Sequence, residues 1–280
     1  MQIISDPAEM QRRVTTLRQQ GRRIGLVPTM GYFHEGHLSL FRPGRRENDI
    51  LAISIFVNPM QFDRKEDLES YPIDITGDLA KAEAEGADLV FLPEQEAVYP
   101  QGYATFVEVE GLTSRWEGTY RPGHFRGVTT VVAKLFHVVK PHRAYFGQKD
   151  YQQTCIIQRM VTDLSMDIEV VVLPTVREPD GLALSSRNVN LTVEERRQAP
   201  TVYQALCSVA DRVKAGEQDA VVLVERMRRM IEERTSATID YVALCHPETL
   251  EPLQKIGGPA IALVAIRFSR ARLIDNILLS

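Results

Sequence analysis

Apolar stretches of strand length alternate with helical patterns along residues 1–176, and this alternation constrains the fold more than any other feature. Helices are predicted over residues 78–86, 125–139 and 150–164. Strands are predicted over residues 24–29, 51–57, 87–92, 105–109, 143–147 and 168–176. Strands separated by helices are typical of βαβ units, which build a parallel sheet with helices on both faces. The pattern therefore predicts an α/β domain with a parallel sheet.

The pattern changes after residue 176. Residues 177–190 are polar and contain a Pro-Asp-Gly turn, which favours a long connection with a role of its own. Thr192 and Glu195 have the spacing of a capping box, which predicts a helix from there to about residue 215. The elements predicted beyond it are a helix over 220–234 and strands over 238–245, 260–268 and 272–279. This order indicates a smaller α+β domain over residues 177–280, after a first domain over residues 1–176.

Composition narrows the class of protein. The chain has 280 residues, of which 44% are hydrophobic and 25% charged, as in an ordinary globular protein. A formal charge of −4 gives no sign of a surface for nucleic acid. The three cysteines are widely spaced and form neither a disulfide framework nor a metal motif, which favours a reducing compartment. No apolar run is long enough for a membrane span and the first residues lack a secretory signal, so we expect a cytoplasmic protein.

Residues 28–38, directly after the first long strand, carry the most informative motif. Two glycines allow close approach of a ligand to the backbone, and His34 and His37 are three residues apart at the start of a predicted helix. The two imidazoles should therefore face the same way, where a helix amino terminus favours phosphate. A purely structural role and a zinc site are the alternatives. Zinc is disfavoured because the spacing is His-x-x-His and no third ligand is evident.

Three further polar clusters follow predicted elements. Asn58 and Gln61 provide two amides after the second long strand, and these can orient a polar small molecule. Lys149 and Asp150 follow the strand at 143–147, where the lysine can meet phosphate and the carboxylate can accept from ribose. Residues 184–188 (Leu-Ser-Ser-Arg-Asn) suit a lid over a polyphosphate. Taken singly, each cluster is better explained as a polar turn, a helix cap or a solvated linker.

These motifs together closely resemble the pantothenate synthetase (pantoate–β-alanine ligase) family. The resemblance spans nearly the whole chain, in order. Its motifs are Pro-Thr-Met-Gly-x-x-His-x-Gly-His at 28–37, Asn-Pro-Met-Gln-Phe at 58–62, Arg-Pro-Gly-His-Phe-Arg-Gly-Val at 121–128, Phe-Gly-Gln-Lys-Asp-x-Gln-Gln at 146–153, Asp-Gly-Leu-Ala-Leu-Ser-Ser-Arg-Asn at 180–188 and Ala-Arg-Leu-Ile-Asp-Asn at 271–276.

The resemblance implies a fold and an activity. It implies a Rossmann-like domain of the HIGH-motif nucleotidyl-transfer superfamily with a smaller carboxy-terminal lid. The implied reaction joins (R)-pantoate to β-alanine through a pantoyl adenylate and splits ATP, with Mg²⁺, to AMP and diphosphate. The implied partners are these small molecules and a second copy of the chain in a homodimer, with no nucleic acid and no membrane.

The resemblance also implies roles for single residues. His37 is implied as a proton donor, and we expect His34 and Lys149 to contribute to catalysis by stabilising charge on the phosphates. Gln61 and Gln153 are implied to hold pantoate, with Gln61 also near the β-alanine, and we expect the amide of Asn58 to contribute to the same site. The implied ATP contacts are Met30, Gly31, His34, His37, Gly147, Lys149, Asp150, Val176, Leu184, Ser185, Ser186 and Arg187. We therefore expect the two histidines, the lysine and the serine-rich segment to converge on one triphosphate.

Several positions leave questions open. Pro43 and Gly44 stand where the family continues a helix, and a proline inside a helix costs about 3 kcal/mol or more. We therefore expect that helix to be short, kinked or restarted there. Ile73 stands where the family commonly has arginine, which leaves the role of its loop open. Asp78 is a candidate partner for Mg²⁺, although a metal held mainly by ATP phosphates and water is an equal alternative.

Two other functions stay open from the residues alone. Another adenylyl transferase of the superfamily would share the His-x-Gly-His motif but would not need the pair of amides. A non-catalytic nucleotide-binding protein would keep the fold. The intact His37, Lys149 and residues 185–187 argue against this second alternative.

Overall fold

The alternation of strands and helices produces a six-stranded parallel sheet in the computed structural model, which describes residues 1–279. The strands are β1 (Gln2–Ile4), β2 (Ile24–Thr29), β3 (Ile50–Ile55), β4 (Leu89–Phe91), β5 (Arg143–Gly147) and β6 (Glu169–Leu173). Their order across the sheet is β1-β4-β3-β2-β5-β6. The predicted α/β class with a parallel sheet is confirmed.

Helices cover both faces of this sheet. They are α1 (Pro7–Gln19), α2 (Glu35–Glu47), α3 (Lys65–Glu69), α4 (Ile75–Ala84), α5 (Gln95–Val98), α6 (Glu117–Tyr120), α7 (His124–Val139) and α8 (Tyr151–Asp163). Successive side chains of a strand point to opposite faces, and the β2 neighbours Leu26 and Val27 accordingly belong to different apolar clusters. The cluster of Leu26 includes residues of α1, α7 and α8, whereas that of Val27 includes residues of α2 and α4.

A second apolar core lies in the carboxy-terminal part of the chain. It is built by helices α9 (Val193–Gln198), α10 (Thr201–Lys214) and α11 (Ala220–Arg234) and by an antiparallel sheet of β7 (Thr238–Cys245), β8 (Ala260–Arg267) and β9 (Arg272–Leu279). The predicted smaller α+β part is thus confirmed. The chain divides into two units, the first made of Met1–Gly147 and Gln153–Pro174 and the second of Gln148–Gln152 with the residues from Thr175 onward. The domain boundary at residue 176 stays a prediction.

The strand predicted over residues 105–109 is wrong. Side-chain hydroxyls of α7 form the hydrogen bonds to this backbone that a neighbouring strand would otherwise form. The N–H of Val107 donates to Oγ1 of Thr130 at 3.0 Å, and its carbonyl accepts from Oγ1 of Thr129 at 2.6 Å. The segment therefore follows a helix instead of entering a sheet, although its apolar and polar residues alternate.

Two prolines behave differently from the sequence prediction. The single helix predicted from 192 to 215 is wrong, because α9 ends at Gln198 and α10 begins at Thr201, directly after Pro200. Pro43, by contrast, lies inside α2, which runs unbroken from Glu35 to Glu47, so a short or restarted helix is also wrong. Leu40 and Phe41 of α2 are buried, and each such side chain stabilises by about 1.5–3 kcal/mol. Their burial offsets the cost of one proline.

Strand β1 and helix α1 were not predicted, although a signal for the helix is present. Asp6 is its N-cap and accepts the N–H of Glu9 at 2.6 Å, and Pro7 occupies the first helical position. None of the helices within residues 1–279 is both long and apolar enough to cross a membrane.

The capping box at the start of α9 forms as predicted. Oγ1 of Thr192 accepts the N–H of Glu195 at 3.2 Å, and Glu195 accepts the N–H of Thr192 at 2.8 Å. The other carboxylate oxygen of Glu195 accepts the N–H of Ser269 at 2.9 Å. Hydrogen bonds from Thr192 and Ser269 lower the pKa of Glu195 from 4.5 to about 2.

This lowered pKa predicts a pH-dependent stability. A carboxyl group with a lowered pKa in the folded state stabilises fully above pH 4.5, and this contribution is lost as the pH falls from 4.5 towards 2. We expect Glu195→Gln to reduce the free energy of unfolding at pH 7 by about 1 kcal/mol and to remove this part of the pH dependence. Urea unfolding between pH 7 and pH 3 measures both. Glu194→Gln, at an exposed neighbour, is the control, and equal pH profiles for the two variants would contradict the assignment.

Candidate active site

The predicted histidine turn lies at the carboxyl edge of the parallel sheet. Thr29, the last residue of β2, pairs with Ile55, the last residue of β3, and its carbonyl accepts the N–H of Phe56 at 3.1 Å. Strand β5 runs parallel to β2 on its other side and ends at Gly147. The segments after these three strands therefore start from one edge, where open α/β sheets bind ligands.

A buried carboxylate holds this turn. The two oxygens of Asp78 accept the N–H groups of Tyr32 and Phe33, each at 2.6 Å. Gly31 and Tyr32 adopt positive φ angles of 88° and 54°, and a Cβ atom on Gly31 would come within 2.8 Å of an Asp78 oxygen. Burial raises the pKa of Asp78, while the two N–H groups favour its ionised form. These contacts make Asp78 an anchor of the turn.

His34 and His37 cap helix α2 together. Nδ1 of His34 accepts the N–H of Gly36 at 3.1 Å, and Nδ1 of His37 accepts the N–H of His34 at 3.3 Å. The ring centroids are 4.2 Å apart, so the predicted common direction is confirmed. A nitrogen that accepts a hydrogen bond carries no proton, so each neutral ring has its proton on Nε2. The structural role as a cap thus uses Nδ1 of both rings and orients their Nε2–H groups at the positive end of a helix.

Gln61 and Met30 meet beside this turn. Nε2 of Gln61 lies 3.0 Å from Sδ of Met30, and Oε1 of Gln61 accepts from Nδ2 of Asn58 at 3.1 Å. Asn58 is buried, and its amide also bonds the carbonyl of Gly127 at 3.0 Å and the hydroxyl of Tyr99 at 2.9 Å. The amide of Asn58 therefore forms all these hydrogen bonds within the protein, and the bond to Oε1 orients the side chain of Gln61.

Sequence reasoning assigned no role to the motif at 121–128, which also positions Gln61. Nδ1 of His124 lies 2.7 Å from the Gln61 carbonyl, and the guanidinium of Arg121 donates to the same oxygen at 3.2 Å. Gly127 packs so closely that a Cβ atom there would come within 2.2 Å of the Met60 carbonyl. The signal was the histidine and arginine spaced three apart at the start of a helix. Gln153, the other predicted pantoate contact, is half-buried near the start of α8.

Gly147, the last residue of β5, belongs to the first unit, and the remaining predicted ATP contacts lie in the second unit. Lys149 and Asp150 belong to a single 3₁₀ turn, with Nζ of Lys149 3.7 Å from Oδ1 of Asp150. Residues 176–184 form a hairpin-like turn, in which the N–H of Leu184 donates to the carbonyl of Val176 at 3.0 Å. Ser185 then caps a second 3₁₀ turn, Ser186–Asn190, by accepting the N–H of Arg187 at 3.3 Å.

An open cleft of the second unit brings two of these segments together. Its lining includes Lys149, Ser185, Tyr203 and Asp275. A cation and a hydroxyl from segments 36 positions apart in sequence thus border one space. The histidine pair belongs to the first unit, so the convergence of all these groups on one triphosphate stays a prediction.

Across residues 1–279, no group of three His, Cys, Asp or Glu side chains is arranged to hold a metal ion. Asp78, the candidate Mg²⁺ partner, uses both oxygens on the backbone of the turn. Within residues 1–279, the side chains therefore do not fit a metal site built by the protein itself.

The chain belongs to the pantoate-beta-alanine ligase family, whose model matches residues 2–278. A curated pantothenate synthetase from Moorella thermoacetica is 52% identical over 279 residues, which is 100% of this chain and 99% of that protein. One from Thermotoga neapolitana is also 52% identical and covers 100% of both chains. This match decides against another adenylyl transferase.

Solved structures of the family agree with the fold. The crystal structure of pantothenate synthetase from Thermus thermophilus has a TM-score of 0.94 at 47% identity and covers 99% of both chains. The ligase from Francisella tularensis, crystallised with beta-gamma ATP and beta-alanine, has a TM-score of 0.81 at 33% identity and covers 99% of this chain and 97% of that one. The Rossmann-like fold of the sequence resemblance is thereby confirmed.

The anchor role of Asp78 is testable. In Asp78→Asn, an amide NH₂ replaces one acceptor and faces a buried N–H. We expect this to lower the free energy of unfolding by about 1–3 kcal/mol and to weaken ATP binding at least tenfold, measured by urea unfolding and calorimetry. Asp74→Asn, at the N-cap of the same α4, is the control because asparagine caps equally well. An Asp78→Asn protein that matches this control in both measurements would refute the anchor.

Proposed function

We propose that this chain condenses (R)-pantoate with β-alanine in two steps that use ATP. The pantoate carboxylate attacks the α-phosphorus of ATP, which forms pantoyl adenylate and releases diphosphate. The β-alanine amine then attacks the acyl carbon, the C–O bond to AMP breaks, and pantothenate and AMP leave. Activation is needed because a carboxylate has no good leaving group, whereas AMP is one. No side chain has to act as a nucleophile.

The observation that carries this proposal is the paired histidine cap of α2. Its two Nε2–H donors suit oxygens of a triphosphate, whose charge builds up as diphosphate leaves. His37 is the residue that the resemblance implies as proton donor, and His34 lies beside it. Met30 and Gly31 belong to the same turn, so we assign both to ATP.

Lys149 and residues of the serine-rich segment supply further phosphate contacts in the proposal. Lys149 acts as a point charge, and its cleft is shared with Ser185. We assign Ser186 and Arg187 to the phosphates as well, and Gly147, Asp150, Val176 and Leu184 to the nucleotide. Support comes from the hydrogen bond between Leu184 and Val176, which places two assigned residues side by side.

Gln61 and Gln153 are assigned to pantoate, which offers a carboxylate and hydroxyls to their amides. Gln61 is held by Asn58, His124 and Arg121, so it presents a fixed group to the substrate. Asn58, also predicted at the pantoate site, is assigned to positioning Gln61, because its own amide bonds Gly127 and Tyr99. Holding two reactants in the attacking geometry is worth about 7–11 kcal/mol at best.

Three further properties are proposed from the resemblance. Mg²⁺ would enter with ATP, bound mainly by phosphate oxygens and water, because the described residues build no carboxylate cage for it. The metal would neutralise phosphate charge when bound. The active form would be a homodimer, and its location the cytoplasm.

Isotope exchange tests the adenylate route. With ATP, pantoate and no β-alanine, the enzyme should incorporate labelled diphosphate into ATP, because formation of the adenylate is reversible. Omitting pantoate is the control and should abolish the exchange. A preparation that makes pantothenate but shows no pantoate-dependent exchange would rule out the adenylate, and one with neither activity would indicate a non-catalytic protein.

The assignment of Gln153 predicts a selective loss. A hydrogen bond to a charged group contributes about 1.5–3 kcal/mol, so Gln153→Ala should raise the KM for pantoate about tenfold or more. The KM for ATP should change less than twofold. Gln158→Ala, at an exposed position of the same helix, is the matched control and should leave both unchanged. Equal losses for pantoate and ATP in Gln153→Ala would argue against the assignment.

A further inference from the structure

Strand β9 contains two adjacent buried polar residues, Asp275 and Asn276, to which the reaction assigns no role. Their exposed fractions are 5% and 2%. Their partners on the neighbouring strand are apolar, since Asp275 pairs with Val264 and Asn276 with Leu263. Burying polar groups is costly unless each is hydrogen-bonded. Apolar residues would fill this strand at lower cost, so the contacts of the pair indicate what it does.

Asn276 holds the turn from which Lys149 projects. Its Nδ2 donates to the carbonyl of Gln148 at 2.9 Å and to that of Lys149 at 3.0 Å. Its Oδ1 accepts from Nε2 of Gln148 at 3.2 Å. One side chain thus bonds three groups of two consecutive residues. The backbone on which the Lys149 side chain is mounted is therefore fixed by Asn276.

Asp275 holds the hairpin-like turn that leads to Ser185. Its two carboxylate oxygens accept from the guanidinium of Arg177 at 2.6 and 2.9 Å. That guanidinium also donates to the carbonyl of Gly181 at 3.1 Å and lies 3.8 Å from the ring centroid of Tyr203. A bridge pairs Arg177 with Ala183, two residues before Ser185. The carboxylate thereby fixes both arms of this turn.

We propose that Asp275 and Asn276 are positioning residues that set the placement of Lys149 relative to Ser185 for the phosphates of ATP. This role rests on the proposed function of Lys149 and Ser185. Adjacent residues of one strand have a fixed spacing, so the two segments that they hold border the same cleft in one arrangement. A displacement of about 1 Å at a reacting group costs about 10²-fold in rate, and a shared anchor prevents it.

A double-mutant cycle tests the role of Asn276 in the full-length enzyme. Asn276→Leu should reduce diphosphate exchange at least tenfold in the wild-type background. In a Lys149→Met background the same change should cost less than twofold, because the group that it positions is already gone. If Asn276 had a purely structural role, the loss of exchange in the double variant would instead equal the product of the two single losses. Leu278→Asn, at an exposed site of the same strand, is the control and should leave the exchange unchanged.

The outcomes distinguish a failure of the proposed function from a failure of the positioning role alone. Lys149→Met with wild-type exchange would overturn the role of Lys149 in the proposed function, and the positioning role with it. A large loss in Lys149→Met together with multiplied losses in the double variant would overturn the positioning role alone. If thermal unfolding shows that Asn276→Leu does not fold, Gln148→Leu, which removes only the bond to Oδ1 of Asn276, takes its place in the same cycle.

A second cycle addresses Asp275. Asp275→Asn keeps the shape of the side chain but removes the charge opposite Arg177. It should reduce exchange at least fivefold alone and less than twofold when combined with Ser185→Ala. Multiplied losses would show that Asp275 acts on the reaction independently of Ser185 and would overturn its half of the proposal.

Discussion

The buried carboxylate of Asp78 accepts hydrogen bonds from the backbone N–H groups of Tyr32 and Phe33, and the geometry of the histidine turn depends on these two bonds. Tyr32 has a left-handed backbone, which costs about 1–3 kcal/mol for a residue other than glycine. Hydrogen bonds to an ionised acceptor stabilise by about 1.5–3 kcal/mol each, so the two bonds that Asp78 accepts offset that cost. Helix α2 therefore starts at a defined point, with both imidazoles oriented by their Nδ1 atoms.

Buried polar side chains also hold substrate-binding candidates in place elsewhere in the chain. Asn58 orients Gln61 in the first unit, and Asn276 holds the Lys149 turn in the second. A buried amide or carboxylate is stable only in the arrangement that bonds all its polar atoms. It therefore restrains a loop more tightly than apolar packing, which tolerates small shifts. In each case the side chain that we assign to a substrate is half-buried, and the residue that holds it is buried.

Local chemistry explains which elements were predictable. The Thr192–Glu195 box and the bounds of β7 and β9 follow from spacing and periodicity within a few residues, and the structure confirms them. Residues 105–109 have the period of a strand, but hydroxyls of Thr129 and Thr130 satisfy the backbone of Val107. Pro200 separates two helices, whereas Pro43 is retained inside one because its neighbours are buried. Proline therefore interrupts a helix at one position and is tolerated inside a helix at the other, and the packing of the neighbouring residues decides which.

By itself, the sequence determined the α/β class, the family and the segments that carry the candidate site residues, because periodicity and ordered motifs are properties of the chain alone. Only the tertiary structure decided that Asp78 anchors the histidine turn. It also decided that Asn58 accepts a hydrogen bond from the hydroxyl of Tyr99, and that Asn276 donates one to the carbonyl of Lys149. The physical reason is the separation of the partners, 46, 41 and 127 positions along the chain. A buried polar group takes the partner that folding brings to it, and no local spacing contains that information.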